Sequence, residues 1–170
     1  MTARPAPPPP RKIGAGFTLT ELMVTVGIGA IMLTLAAPSF QESIRNNRLT
    51  AQSNDLFTSL NLARSEAVKR RSIVSLCTSS DQASCTNSNW SAGWIVRDET
   101  SGDVIRAFPA MKGGTTVTSA DNQVRYAQTG FLVGGAPVSL KLCAGAGKQG
   151  RQIDISVTGR PTNISPNPTC

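Results

Sequence analysis

One stretch constrains this chain more than any other: the apolar run from Leu22 to Ala37. It belongs to a block that begins at Phe17 and holds no Lys or Arg up to residue 37, yet it carries a carboxylate, Glu21, close to its start. About 20 apolar residues suffice for a helix to cross the hydrocarbon of a bilayer, so residues 17–38 are expected to form a membrane segment. Gly27, Gly29 and Thr34 weaken that segment as a helix in water, but membrane helices tolerate glycine. Pro38 closes the run and is expected to kink or interrupt the helix. Ahead of it, residues 1–16 are proline-rich and carry Arg4, Arg11 and Lys12 with no acid. A basic flank of this kind stays cytoplasmic and sends the rest of the chain outward.

Downstream the periodicity is helical. Phe40, Ile44, Ala51, Leu56, Leu60, Ala63 and Ala67 recur mostly at three-, four- or seven-residue steps, with Asn, Arg, Gln and Ser between them. That predicts an amphipathic helix with one apolar stripe. Lys69, Arg70 and Arg71 end it with cations, which suit a helix C-terminus. Residues 18–71 therefore read as one helix: an apolar part and then an amphipathic continuation over 39–72.

From Ser72 onward the period changes to two. The segments 73–77, 93–97, 104–108, 138–143 and 152–157 alternate as strands, with weaker signals at 115–119 and 124–127. Ser101-Gly102-Asp103 marks a hairpin turn between two of them. With 15 Gly and 11 Pro in 170 residues, turns are frequent. Residues 73–170 are thus expected to form an antiparallel sheet or small sandwich packed on the helix stripe, an α+β fold.

Chemistry-bearing residues are sparse. Histidine is absent, which removes the commonest general base and metal ligand. The acids after Pro38 are scattered, so no nucleophile–base pair can be named and no enzyme is expected. No cofactor and no metal is expected either. Cys77, Cys85, Cys143 and Cys170 form no Cys-x-x-Cys pair, which disfavours zinc. An even cysteine count behind an export-type N-terminus favours disulfides. Of the three pairings, Cys77–Cys85 would close a short polar loop and Cys143–Cys170 would tie the C-terminal tail to a strand. Trp90 and Trp94 read as packing residues. Gly145-Ala146-Gly147-Lys148 resembles a phosphate loop only superficially, because it lacks the four-residue spacer and the Ser/Thr.

Residues 1–38 admit three readings. A cleaved secretory signal fits the basic flank and Leu35-Ala36-Ala37, but Glu21 interrupts its apolar region. An ordinary anchor would place Glu21 at the interface. The third is a prepilin signal, because Gly16-Phe17-Thr18-Leu19-Thr20-Glu21 resembles the type IV pilin and pseudopilin processing motif. That resemblance implies cleavage by prepilin peptidase between Gly16 and Phe17, with 1–16 as leader, and N-methylation of Phe17. It also puts Glu21 and Pro38 at the family's characteristic assembly positions. Thr20 stands where the family usually has an aliphatic residue. A carboxylate at membrane depth costs a few kcal/mol unless paired, and the new amine of a neighbouring subunit's Phe17 would neutralise it.

The body of the chain is similar to the GspH/FimT family of minor pseudopilins and minor pilins. The similarity rests on 47–50, 62–70, 74–77, 93–96 and Ile155-Ser156-Val157-Thr158-Gly159-Arg160. It implies a long N-terminal helix on a β domain of two small antiparallel sheets, anchored once in the inner membrane with the β domain periplasmic. The same resemblance implies later incorporation at or near the tip of a pilus or secretion pseudopilus, where minor members help to initiate assembly. Its expected partners are other pilin or pseudopilin subunits, prepilin peptidase and the inner-membrane assembly platform.

The alternative function is a pilus DNA receptor of the FimT type, whose motif is Gly-Arg-x-Arg. Here Gly159-Arg160-Pro161-Thr162 keeps the first arginine and replaces the second. The chain has 17 Lys+Arg against 10 Asp+Glu; losing the leader's three cations leaves fourteen against ten, net +4. Lys141, Lys148, Arg151 and Arg160 lie in the last thirty residues beside one acid, Asp154, and form the candidate DNA-binding set. Against it stand the lack of any aromatic after Phe131 for base stacking, and the ordinary use of surface charge for solubility.

Overall fold

A computed structural model describes residues 16–164 and 168–170, without the side chains of 35–38. Residues 1–15, most of the expected leader 1–16, lie outside the described residues. The chain divides into two compact units at residues 41/42.

Helix α1 runs over Leu19–Arg70. It begins where Thr18 caps it. The Thr18 carbonyl accepts from the Leu22 N–H at 3.1 Å, and the Thr18 hydroxyl accepts from the Glu21 N–H at 3.2 Å. The element continues through position 38, so the interruption expected at Pro38 does not occur. The helix ends at Arg71, whose φ of 53° is left-handed. There the Ser72 N–H reaches back to the Ala67 carbonyl at 3.3 Å, the long-range bond of a Schellman stop.

In the unit of residues 42–170, the described residues form eight strands: β1 (Val74–Thr78), β2 (Trp94–Asp98), β3 (Val104–Phe108), β4 (Thr116–Thr118), β5 (Gln123–Tyr126), β6 (Val138–Cys143), β7 (Arg151–Ile155) and β8 (Pro161–Asn163). They make two four-stranded sheets, ordered β3-β2-β1-β5 and β4-β6-β7-β8, and every pairing is antiparallel. Strand β8 is the element the sequence did not signal: three residues led by a proline carry no alternation, and proline is tolerated only at a sheet edge or strand start.

Both sheets send alternate side chains toward α1. Leu76, Trp94, Val96, Val124 and Tyr126 from the first sheet join Val117, Leu140, Leu142, Ile153 and Ile155 from the second in one buried cluster with Leu49, Leu56, Leu60, Ala63 and Ala67 of the helix. The stripe thus differs from the expected one at its start. Phe40 is 68% and Ile44 44% exposed, and Ala51 is also exposed. Leu49 and Ser53 are buried instead. The buried stripe runs through 49, 53, 56, 60, 63 and 67, a regular alternation of four- and three-residue steps, with Ser59 buried beside it. Ser53 hides that rhythm in an apolarity scan, and none of residues 42–48 is buried.

Polar anchors fix the helix on the sheets. The Trp94 indole N–H donates to the buried Ser59 hydroxyl at 3.0 Å, and the Gln52 amide donates to the Lys112 carbonyl at 3.0 Å. Trp90 opens a single 3-10 turn (Trp90–Ala92) and donates from its indole to the Asp121 carbonyl at 2.8 Å. Both tryptophans are core residues. Ser101-Gly102-Asp103 turns between β2 and β3, and Asp98, buried at the turn's base, accepts from the Thr100 N–H and the Ser72 hydroxyl. Burial alone would raise its pKa, but these hydrogen bonds and nearby Arg70 outweigh that and hold it below the usual carboxylate range.

Disulfides join Cys77 to Cys85 and Cys143 to Cys170. The first closes a polar loop organised by Asp81, which accepts from Ser79, Ala83 and Ser84. The second holds the tail beside β6, where Thr169 bridges Gln149 and its carbonyl accepts from Lys141 Nζ at 2.8 Å.

Candidate functional site

Two regions carry the expected functional residues. The first is the helix start. Gly16 and Phe17 precede α1, and both are exposed. Nothing lies within 4 Å of where a Gly16 Cβ would stand. Leu19, Leu22, Met23, Val24, Val26, Ile28, Ile31 and Leu33 are all exposed, and the helix is long and apolar enough to cross a membrane. Glu21 occupies the first turn, three residues after the cap. Thr18-Leu19-Thr20-Glu21 is the sequence pattern of a capping box, a signal that the sequence reading passed over. The exposed N–H groups there favour a negative charge. The start of α1 therefore accommodates the Glu21 carboxylate before any partner arrives.

The second region is the set of C-terminal cations, and the fold does not gather them. Arg151 pairs across the ladder with Leu142, so it points with Leu142 toward the helix side of the sheet. There its guanidinium donates to the Thr50 hydroxyl at 3.2 Å. Lys141 is opposite Gln152 and faces outward, reaching the Thr169 carbonyl. Lys148 pairs with Glu42 at 3.4 Å. Arg160 follows the far end of β7, exposed. Arg151 and Arg160 thus flank opposite ends of one strand, and Arg151 is engaged in helix–sheet packing. Charge density along the sequence could not reveal this, because strand register decides which face a side chain takes.

What surrounds Arg160 is better defined. Arg64, projecting from α1, donates from Nε to the Gly130 carbonyl at 3.0 Å and from Nη2 to the Thr158 carbonyl at 3.1 Å. One planar guanidinium therefore holds both the 127–131 loop and the 156–160 turn against the helix. Gly159 (φ 78°) packs on Gly130. Two family-like segments, 62–70 and 155–160, meet here in space. Gly145-Ala146-Gly147-Lys148 forms the turn ahead of β7, with Lys148 turned to Glu42 rather than to a phosphate.

Comparison with known proteins agrees with this architecture. Residues 52–159 match the family described as type II transport protein GspH, and residues 11–37 match the prokaryotic N-terminal methylation motif. No curated protein matches the chain. Among solved structures, the type IV minor pilin FimU of Pseudomonas aeruginosa PAO1 in space group P21 is similar at TM-score 0.62 and 24% identity, over 74% of this chain and 96% of that one. The same pilin in space group P65 gives TM-score 0.59 and 24% identity, over 71% and 98%. The matched span contains most of α1 that packs on the sheets and seven of the eight strands, all but β8. The chain belongs to the GspH family, with the fold of a type IV minor pilin: a structural subunit rather than an enzyme.

Proposed function

We propose that this chain is a minor pilin or pseudopilin cut by prepilin peptidase between Gly16 and Phe17 and N-methylated on Phe17. It is held by residues 17–38 in the inner membrane, with the β domain in the periplasm. An assembly platform then extracts it into a filament, at or near the tip, beside other pilin-like subunits. The observation that carries this reading is the coincidence of the methylation motif with an exposed Gly16-Phe17 step at the start of an exposed apolar helix. A peptidase can reach such a step without unfolding anything. Glu21 and Pro38 are assembly residues in this reading, and Glu21 meets the amine of a neighbouring Phe17, an ion pair that avoids a cost of a few kcal/mol at membrane depth.

Mass spectrometry of the protein from native membranes tests it. The expected N-terminus is N-methyl-Phe17; a mature chain that begins upstream of Phe17 overturns the processing step.

The DNA-receptor alternative draws on Arg160, which is exposed, with Lys141 as the other outward cation of the set that no carboxylate pairs. Titration with duplex DNA at several salt concentrations tests it, since neutralising two phosphates predicts a salt slope of only about −2.

A further inference from the structure

The clamp made by Arg64 also builds a surface. Gly130 sits so close to α1 that a Cβ on it would stand 3.2 Å from Val68 Cγ2. Phe131 follows immediately, and the Leu132 N–H donates to the Val157 carbonyl at 3.0 Å. The segments that carry Val68, Phe131 and Val157 therefore meet at this point. These three side chains are 50%, 50% and 42% exposed, in a unit whose other large apolar side chains are mostly buried. Beside them the α1 face of Asn61, Leu62 and Ser65 forms an open groove.

The rim is cationic. Lys69 reaches Glu66 at 3.4 Å. Arg71, on the turn after Val68, and Arg160, after Gly159, are exposed and have no hydrogen-bonded or ion-paired side-chain partner among the described residues. An apolar centre inside a polar rim is the anatomy of a protein interface. The Arg64 bonds order the two loops beforehand, which lowers the entropy that docking must offset.

Charge selects the occupant. A symmetric dimer through this patch would set one cationic rim, Arg71 and Arg160, against the same cationic rim of the other copy, since a two-fold interface joins one patch to itself. Nucleic acid would gain from two free arginines but would leave Val68 and Val157 without complementary contacts. We infer that Val68, Phe131 and Val157, rimmed by Arg71 and Arg160, dock a different pilin-like subunit that presents an apolar spot flanked by carboxylates. This rests on the proposed function and names the surface through which one neighbour is chosen.

The test uses the full-length chain in detergent, titrated against each of the other pilin-like subunits of its assembly prepared in the same way. One of them is expected to bind. Phe131→Glu and Arg160→Glu are each expected to weaken that complex about 10-fold or more, the first by removing a central anchor and the second by setting like charges against the partner's carboxylates, with unchanged melting temperatures. A carboxylate-to-lysine change in the partner should restore binding to the Arg160→Glu variant. Val104→Glu on the β3 edge should change nothing. Parental affinity in both variants overturns the docking surface and leaves the proposed function standing. Binding to none of the subunits overturns both. Self-association through the patch, or loss of duplex-DNA binding alone in the two variants, overturns the assignment of the partner.

Discussion

Gly159 lies directly on the backbone of Gly130: a Cβ added to Gly159 would collide with the Gly130 carbonyl oxygen. That oxygen already accepts from Arg64 Nε, so it cannot retreat without breaking the clamp. The left-handed φ of 78° adds a second reason for glycine. Gly159→Ala is therefore expected to cost about 2–4 kcal/mol, combining backbone strain with overpacking. Gly114→Ala is the control, because its φ is also left-handed at 71° but its surroundings are open; it should cost about 1–2 kcal/mol. Chemical denaturation of the two variants separates crowding from conformation.

Arg64 should be irreplaceable by lysine. Its two bonds run to carbonyls on different loops, and a single ammonium lacks the fixed fork that spans them. Arg64→Ala is expected to lose about 2–3 kcal/mol, in the range of hydrogen bonds made by charged groups. Arg64→Lys should recover less than half of that. Hydrogen exchange at residues 130–132 and 157–159 should accelerate in both variants, while that of β1 and β2 stays unchanged. Equal protection in the lysine variant would show that charge suffices.

The two disulfides should differ in what they contribute. Cys143 and Cys170 are separated by 27 positions, Cys77 and Cys85 by 8. Loop-closure entropy then gives about 3.5 and 2.5 kcal/mol respectively. Paired alanine variants, melted separately, should rank in that order. Only loss of the Cys143–Cys170 pair should release the tail, visible as faster exchange at the N–H of position 170, which in the parent bonds to the Lys148 carbonyl. The reverse ranking would mean that loss of the buried Cys77 side chain outweighs chain entropy.

Much of this domain was legible because its main elements are periodic. The β6 and β7 runs alternate cleanly, and Leu56, Leu60, Ala63 and Ala67 mark the helix face. What escaped reading depends on contacts distant in sequence. Whether Phe40 or Leu49 begins the buried stripe depends on how far the sheets extend along α1. Arg151 looks like a surface cation until its register with Leu142 turns it inward. The role of Arg64 is invisible in sequence, since its acceptors lie 66 and 94 positions away. The cap at Thr18 was local and readable, but the apolar run drew attention past it.

Acid should destabilise the β domain through Asp98. Its folded pKa lies below the unfolded value of about 3.9, because the net effect of its hydrogen bonds and Arg70 exceeds burial. The ionised form is thus favoured by folding. The stability it contributes is present above about pH 4 and is lost as pH falls through the depressed folded pKa. Glu66, held down chiefly by its bond to Arg70, adds in the same direction. Asp98→Asn should be less stable at pH 7 and should show a shallower loss of stability below pH 4 than the parent. Parallel pH profiles would exclude Asp98 as a source of the acid sensitivity.

The proposed function gives Glu21 two separable duties, one within its helix and one between subunits. Within the helix, its N–H is satisfied by the Thr18 hydroxyl, and its carboxylate suits the N-terminal turn by about 0.3–1 kcal/mol. Thr18→Ala removes the cap at about 1 kcal/mol without touching the charge. If the carboxylate also pairs with a neighbour's amine, removing it leaves that cation unmatched at membrane depth, a cost of a few kcal/mol. Glu21→Val and Glu21→Gln are therefore expected to insert and be cut normally, yet to enter filaments about 10-fold less than the parent. Thr18→Ala should stay within about two-fold of the parent, because its effect is confined to the helix start. Quantifying each variant in sheared filaments against the membrane pool decides the matter. If Glu21→Gln incorporated like the parent, the residue would belong to the helix start alone and the intersubunit pair would have to be abandoned.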